Sequence, residues 1–191
     1  MTNILPPTTE RIILGIDPGT NIMGYGVIAV RGNKATLIDL GFCDFRRVDD
    51  PYLKLKNIYR SVSALIDKYL PDELAIEAQF FGVNPQTLHK LGRAQGVAIA
   101  AALMRDMPIA EYAPLKIKMA ITGNGSASKE QVSDMIRRLL NIPPDRIPSH
   151  LDATDGLAAA YCHFLQSGRP KSDSHYSDWK DFVRRNQSKI K

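Results

Sequence analysis

Residues 11–30 read RIILGIDPGTNIMGYGVIAV, and this stretch decides how the chain begins to fold. Arg11 to Asp17 is a short apolar run that stops at Pro18-Gly19-Thr20-Asn21, four residues of turn chemistry. Ile22 to Val30 then resumes with β-branched and small apolar residues, so the two runs form an antiparallel hairpin. Beyond the Gly32-Asn33 turn, Lys34 to Phe45 places Thr36, Ile38, Leu40 and Phe42 at period two, which predicts a third antiparallel strand. Ahead of the hairpin, residues 1–11 contain Pro6-Pro7-Thr8-Thr9 and read as a flexible lead-in.

Working toward the C-terminus, the period changes at Pro51. Leu53, Leu55, Ile58, Val62, Leu65, Ile66 and Tyr69 recur at helical spacing, and Pro51 suits a first helical position, so Pro51 to Leu70 is expected to be an amphipathic helix. Glu73 to Ala78 (ELAIEA) is a fourth strand, expected at the centre of the sheet. Pro85 to Arg105 is a long helix with small residues at Gly92, Ala94, Gly96, Ala98 and Ala100 to Ala102, and Ile109 to Tyr112 is a fifth strand. Pro114 to Thr122 forms a short helix. Ser128 with Gln131 makes a capping box for Lys129 to Leu140, and Leu151 to Gln166 is a last, Ala-rich helix. The order βββαβαβ followed by helices predicts an α/β fold: a mixed five-stranded sheet, three antiparallel strands then parallel ones, flanked by helices. Residues 12–166 make one domain, and residues 167–191 a basic tail.

Composition narrows the function classes. The 191 residues, 44% of them hydrophobic, suit one core and exclude a mostly disordered chain. The longest apolar stretch, Val97 to Met104, is far below the roughly 18 residues of a membrane span, so no membrane role is expected. Cys43 and Cys162 stand far apart with no zinc-ligand spacing, which fits a reduced, cytoplasmic setting. The net charge of +5 is unevenly spread. Residues 1–165 hold 18 Lys and Arg against 17 Asp and Glu, whereas the last 26 residues hold seven against three. Within the body, residues 78–150 hold nine Lys and Arg against five Asp and Glu, so charge suggests nucleic-acid binding only where it clusters.

Four carboxylates carry the chemical argument. Asp17 ends the first strand at a Gly-containing turn, where it serves either as an Asx-turn acceptor or as a functional group. Glu77 sits among Leu74, Ala75, Ile76 and Ala78, and buried carboxylates are rare unless paired with a cation or coordinating one. Asp152 and Asp155, three residues apart on a helix, share a face and repel each other; helix capping accounts for one of them, not both. If the fold gathers these four groups, hard divalent cations explain them together. Mg²⁺ prefers carboxylate and water oxygens, and two ions about 4 Å apart stabilise both the attacking and leaving oxygens of a phosphoryl displacement.

At this point the residues reach a resemblance. Gly15 to Thr20 (GIDPGT) with Gly24 to Val27 (GYGV), Ala75-Ile76-Glu77 with Phe80, Leu91 to Val97 (LGRAQGV), Gly123 to Lys129 (GNGSASK) and Leu151 to Ala158 (LDATDGLA) resemble the RuvC family of bacterial Holliday-junction resolvases. The blocks run in order from about Ile12 to His163, nearly the whole domain. The resemblance implies a ribonuclease-H-like fold and a homodimer that nicks a four-way DNA junction in pairs. It also implies Mg²⁺, or Mn²⁺ in its place, at two ions per active site, and the RuvA–RuvB branch-migration complex as a partner. It assigns the catalytic and metal-binding acids to Asp17, Glu77, Asp152 and Asp155, and two lysines near the cut phosphate to Lys118 and Lys129. Phe80 becomes a ring for stacking on an unpaired base, where composition alone would place it in the core. Lys116, Lys90 and Arg93 are candidates for flanking phosphates. Val83 stands where the family often has a basic residue. His150 reads either as a surface-loop histidine or as a proton shuttle.

Two other functions compete. GIDPGT also resembles the phosphate loop of actin-like ATP-binding proteins, although these need a second lobe that 191 residues do not offer. A non-catalytic nucleic-acid scaffold of the same fold is the other, and the presence of all four acids argues against it.

Overall fold

The computed structural model describes residues 10–79, 84–148 and 150–167. Phe80, Val83 and the tail beyond Ser167, all singled out in the sequence, lie outside the described residues. So do residues 1–9 of the lead-in.

Five strands, β1 (Arg11–Asp17), β2 (Ile22–Arg31), β3 (Lys34–Asp44), β4 (Glu73–Glu77) and β5 (Ile109–Tyr112), form one sheet in the order β3-β2-β1-β4-β5. β2 runs antiparallel to both β3 and β1, and β4 and β5 continue the sheet parallel to β1. β1, not β4, is therefore the central strand. It is the strand that both the hairpin and the first crossover pair with, whereas β4 is inserted between β1 and β5. The helices are α1 (Pro51–Tyr69), α2 (Pro85–Leu103), α3 (Pro114–Thr122), α4 (Lys129–Leu139) and α5 (Asp152–Ser167).

Strand period assigns the two faces. Ile13 and Ala75 join Ile28, Leu157 and Ala158 in the core under α3, α4 and α5, whereas Leu14, Ile16, Leu74 and Ile76 join Ile58, Val62, Ala94 and Ala98 in the core under α1 and α2. Asp17 and Glu77 share the parity of Ile13 and Ala75, so both project toward the α5 face. Parallel pairing of Ile16 with Ile76 further brings the ends of β1 and β4 to one rim of the sheet.

Local chemistry ends the helices where the pattern predicts, with small departures. Asp50 caps α1 by accepting the amides of Tyr52 and Leu53, both at 2.8 Å. Leu70 falls outside the helix because it adopts the left-handed conformation, φ 47°, that closes it. Leu53, expected on the apolar face, is exposed, since the core-facing stripe of α1 starts at the half-buried Leu55 and is fully buried at Ile58. The Ser128–Gln131 capping box is present at α4. In α2 the small residues divide: Ala94, Ala98, Ala101 and Ala102 are buried, while Gly92, Gly96 and Ala100 face outward.

α5 lies against the sheet at backbone contact distance, and glycines permit it. A Cβ added at Gly24 would stand 1.7 Å from the Asp152 carbonyl oxygen, one at Gly26 2.3 Å from the Leu157 Cα, and one at Gly15 2.1 Å from the Gly156 carbonyl oxygen. The helix contributes its own glycine, Gly156, whose Cβ would meet the Tyr25 Cα at 2.7 Å. The far end of α5 is fixed differently. The His163 Nδ1 meets the Tyr112 hydroxyl at 2.6 Å and its Nε2 meets the Glu73 carboxylate. The Arg11 guanidinium also donates to Glu73, at 2.9 Å.

Because the obstructing atom at Gly26 is backbone, Gly26→Ala is expected to lower the unfolding free energy by about 1–3 kcal/mol. Trimming the facing side chain with Leu157→Ala should not restore it; urea denaturation of the single and double variants is the check.

Candidate active site

The rim of the sheet gathers acids from three elements. Asp17 is the last residue of β1, Glu77 the last of β4, and Asp152 and Asp155 occupy the first turn of α5. Carboxylate oxygens of Asp17, Asp152 and Asp155 all lie within 4.8 Å of one another. Glu77 borders two cavities that share this cluster. One, of about 330 Å³, is lined by Asp17, Gly19, Glu77 and Asp152; the other, of about 170 Å³, by Glu77, Lys118, Lys129 and Asp155. Three of the four acids singled out in the sequence thus converge tightly, and the fourth faces them across shared space.

Such a grouping is electrostatically unfavourable by itself. Burial, followed by the charges of Glu77, Asp155 and Asp152, pushes the Asp17 carboxyl well above the ordinary carboxylate range. Burial and the Asp155 charge raise Glu77 to about 7, against the opposing pull of Lys129 and Lys118. Asp155 is raised chiefly by burial, with Lys129 opposing. The cation paired directly with the acids is Lys129, whose ammonium stands 2.5 Å from Asp155 and 3.6 Å from Asp152. Burial opposes its charge, but the Asp155 hydrogen bond and the charges of Asp155, Asp17 and Asp152 carry its pKa upward. The capping box that starts α4 at Ser128 sets Lys129 at the first position of that helix, beside the first turn of α5.

Two ammonium groups, Lys129 against the cluster and Lys118 at its edge, do not balance four crowded, half-buried carboxylates. Their donor set is all hard oxygen, the chemistry that Mg²⁺ and Mn²⁺ select, and their crowding is what a divalent ion relieves. The cluster therefore fits a divalent metal on its own geometry.

The remaining candidates are more dispersed. Lys118 projects from α3 into the smaller cavity. Lys116, on the same helix, instead rests over the Tyr112 ring at 5.1 Å. Lys90 and Arg93 line a separate cavity, with Thr20, Asn21 and Lys54, beside the cluster. His150 is neither a free surface residue nor a member of the cluster: its ring packs on Phe42, centroids 4.4 Å apart. Sequence reading missed the steric role of the glycines, although Gly24 and Gly26, two apart in a strand, signal a cleared stripe on one face. It also missed Lys54, for which no motif speaks.

The sequence model of one protein family, described as crossover junction endodeoxyribonuclease RuvC, matches residues 13–163. A protein of that description from Bacteroides fragilis is 61% identical over 188 residues, spanning 98% of this chain and 100% of its own length. Another, from Porphyromonas gingivalis, is 56% identical over 185 residues, 95% of this chain and 98% of its own. Among solved structures, Thermus thermophilus RuvC in complex with Holliday junction substrate matches with a TM-score of 0.74 at 32% identity, over 83% of this chain and 95% of that one.

The raised carboxyls have a thermodynamic consequence. A carboxyl whose pKa is higher folded than unfolded keeps its proton longer in the folded chain, so stability is greatest below the unfolded value and falls as pH rises toward the folded one. For Glu77 that window runs from 4.5 to about 7. In EDTA the thermal midpoint should decline across this window. Asp17→Asn should raise it near pH 7, and Mg²⁺ should raise the wild-type midpoint more than that of Asp17→Asn; calorimetry with and without the ion tests all three.

Proposed function

The chain belongs to the RuvC family and is a crossover junction endodeoxyribonuclease, and we propose that it resolves four-way DNA junctions by paired symmetric nicks, with Asp17, Glu77, Asp152 and Asp155 as its metal-binding, catalytic acids. Its sheet order and its solved neighbours make the fold ribonuclease-H-like. The observation that carries the proposal is the convergence of three carboxylates within 4.8 Å at the end of the central strand, with Glu77 across a shared cavity. The actin-like alternative loses its ground, because the family model matches residues 13–163, a span that takes in the GIDPGT turn together with all four acids.

In this reading the acids hold Mg²⁺, or Mn²⁺ in its place. Two such ions when bound would activate the attacking water and neutralise charge on the leaving oxygen. Asp17 and Glu77 anchor the site because they end internal strands, and α5 delivers Asp152 and Asp155 from above. Lys129 and Lys118, on neighbouring helices, bring ammonium charge to the phosphate as negative charge develops during cleavage. In the structure Lys129 is held by Asp155, so it competes with metal for the same oxygens until the site is loaded. Phe80 is retained as the base-stacking ring, and Lys116, Lys90 and Arg93 as flanking phosphate contacts.

One domain, residues 12–166, holds one set of acids, whereas a four-way junction needs two cuts in strands of like polarity. A twofold dimer supplies both. Helix α2 offers a surface for it: Cβ atoms at Gly92 and Gly96 would meet nothing within 4 Å, and Leu103 and Met104 beyond them are exposed. The RuvA–RuvB complex is the further partner of this reading, and the cytoplasm its setting. Among the described residues Cys43 and Cys162 form no disulfide, and no helix is long and apolar enough to cross a membrane.

Each of Asp17→Asn, Glu77→Gln, Asp152→Asn and Asp155→Asn should slow junction cleavage at least about a hundredfold while binding persists. Lys118→Ala and Lys129→Ala should lower the single-turnover rate more than the affinity. A wild-type rate in any acid variant removes that residue from the ligand set. Mixed dimers of wild-type and Asp17→Asn subunits should nick a single strand; a monomer that cuts both strands in one binding event would sink the dimer.

A further inference from the structure

A cavity of about 430 Å³ opens next to the acid cluster, between the turn after β1, the start of α1 and the first half of α2. It adjoins the catalytic cleft: Leu91 borders both cavities, and Thr20 of the groove follows Gly19 of the cleft in the chain. Its charged lining is Lys54, Lys90 and Arg93 against Asp49 alone, and Thr20, Asn21 and Thr87 add hydroxyl and amide groups. Lys54 differs from the other two cations. It is half-buried, and its ammonium donates to the Asn21 side-chain oxygen at 2.6 Å, in the turn four residues beyond Asp17. An ammonium has three N–H donors, and that bond uses one. The tie therefore fixes the position of Lys54 relative to the catalytic turn without exhausting its capacity to donate.

We propose that Lys54, oriented by Asn21, is a DNA-phosphate contact, and that this groove takes the sugar–phosphate backbone of the junction strand on the Thr20 side of the cut. The inference rests on the nuclease reading above and extends it to a residue outside the acid and lysine set. A strand lying over Asp17 passes Gly19 and Thr20 into a channel whose cations outnumber its carboxylates three to one. Lys54 is the cation there that is bonded to the catalytic turn itself. Phosphate contacts position a strand without reading its sequence, so the effect of Lys54 should be the same on every junction sequence.

The test is equilibrium binding of the full chain to a synthetic four-way junction in EDTA across a salt series. Lys54→Ala should weaken binding about threefold or more, and should lower the slope of log affinity against log salt by about one, the change for one lost phosphate contact. Lys54→Arg should restore the slope. Asn21→Ala, which removes the tie and keeps the charge, should leave the slope at the wild-type value. An unchanged slope in Lys54→Ala, or a slope that Lys54→Arg fails to restore, overturns the proposal and leaves Lys54 a structural tie between α1 and the turn. If the wild type shows no preference for the four-way junction over linear duplex, the parent reading falls, and this proposal with it. A wild type that resolves junctions while Lys54→Ala binds them equally well sinks the groove alone.

Discussion

The close seating of α5 on β1 and β2 is the contact on which the site depends. Two of the acids reach the rim only because a helix can lie at backbone distance from the sheet, and it can do so only where side chains are missing. Gly15, Gly24, Gly26 and Gly156 clear that space from both partners. None of the four needs an unusual backbone angle, since the positive-φ glycines of the described chain are Gly32 and Gly123. Their role is steric. A methyl group at any of them would push against main chain, which cannot swing aside as a side chain can.

That seating places like charges together and so works against stability. The acids are forced close by packing that is itself favourable, with Leu157, Ala158 and Ala160 of the same helix fully buried. Asp17 and Glu77 accordingly hold their protons above the usual carboxylate range, and Lys129 compensates only in part. A centre of this kind is built to take up positive charge, and the fold bears the strain until it does. The cationic groove along Lys54, Lys90 and Arg93 complements it, because a polyanion would meet net repulsion over the acids alone.

Much of this was legible in the chain. The β1–β2 hairpin, the change of period at Pro51 and the capping box at Ser128 are local signals, and the elements appear within a few residues of where those signals put them. Helical spacing paired Asp152 with Asp155, whereas Asp17 and Glu77 share a face by the register of β1 with β4. What could not be read was anything set by contact between distant segments. β4 was expected at the centre, but an apolar strand with neighbours on both sides looks the same wherever it lies in a sheet. Leu53 was expected to be buried, but where a helix first touches the sheet depends on the angle at which it crosses. Lys54 carried no signal, because a lysine on an exposed helix turn acquires meaning only when the fold sets Asn21 beside it.

The polar clamp at the other end of α5 has a consequence for how this chain can change over time. Asp152 and His163 are eleven residues apart on one helix, about three turns, so both project to the same side of it. One end places its acids beside Asp17 at the sheet rim, and the other is bonded to Glu73 and Tyr112. Adding or removing one residue in that interval would rotate one end against the other by about 100°. Either the acids would turn away from Asp17 or His163 would leave its partners. Length variation is thus barred from this segment even where individual side chains are free to vary, and insertions must gather in the connections outside it.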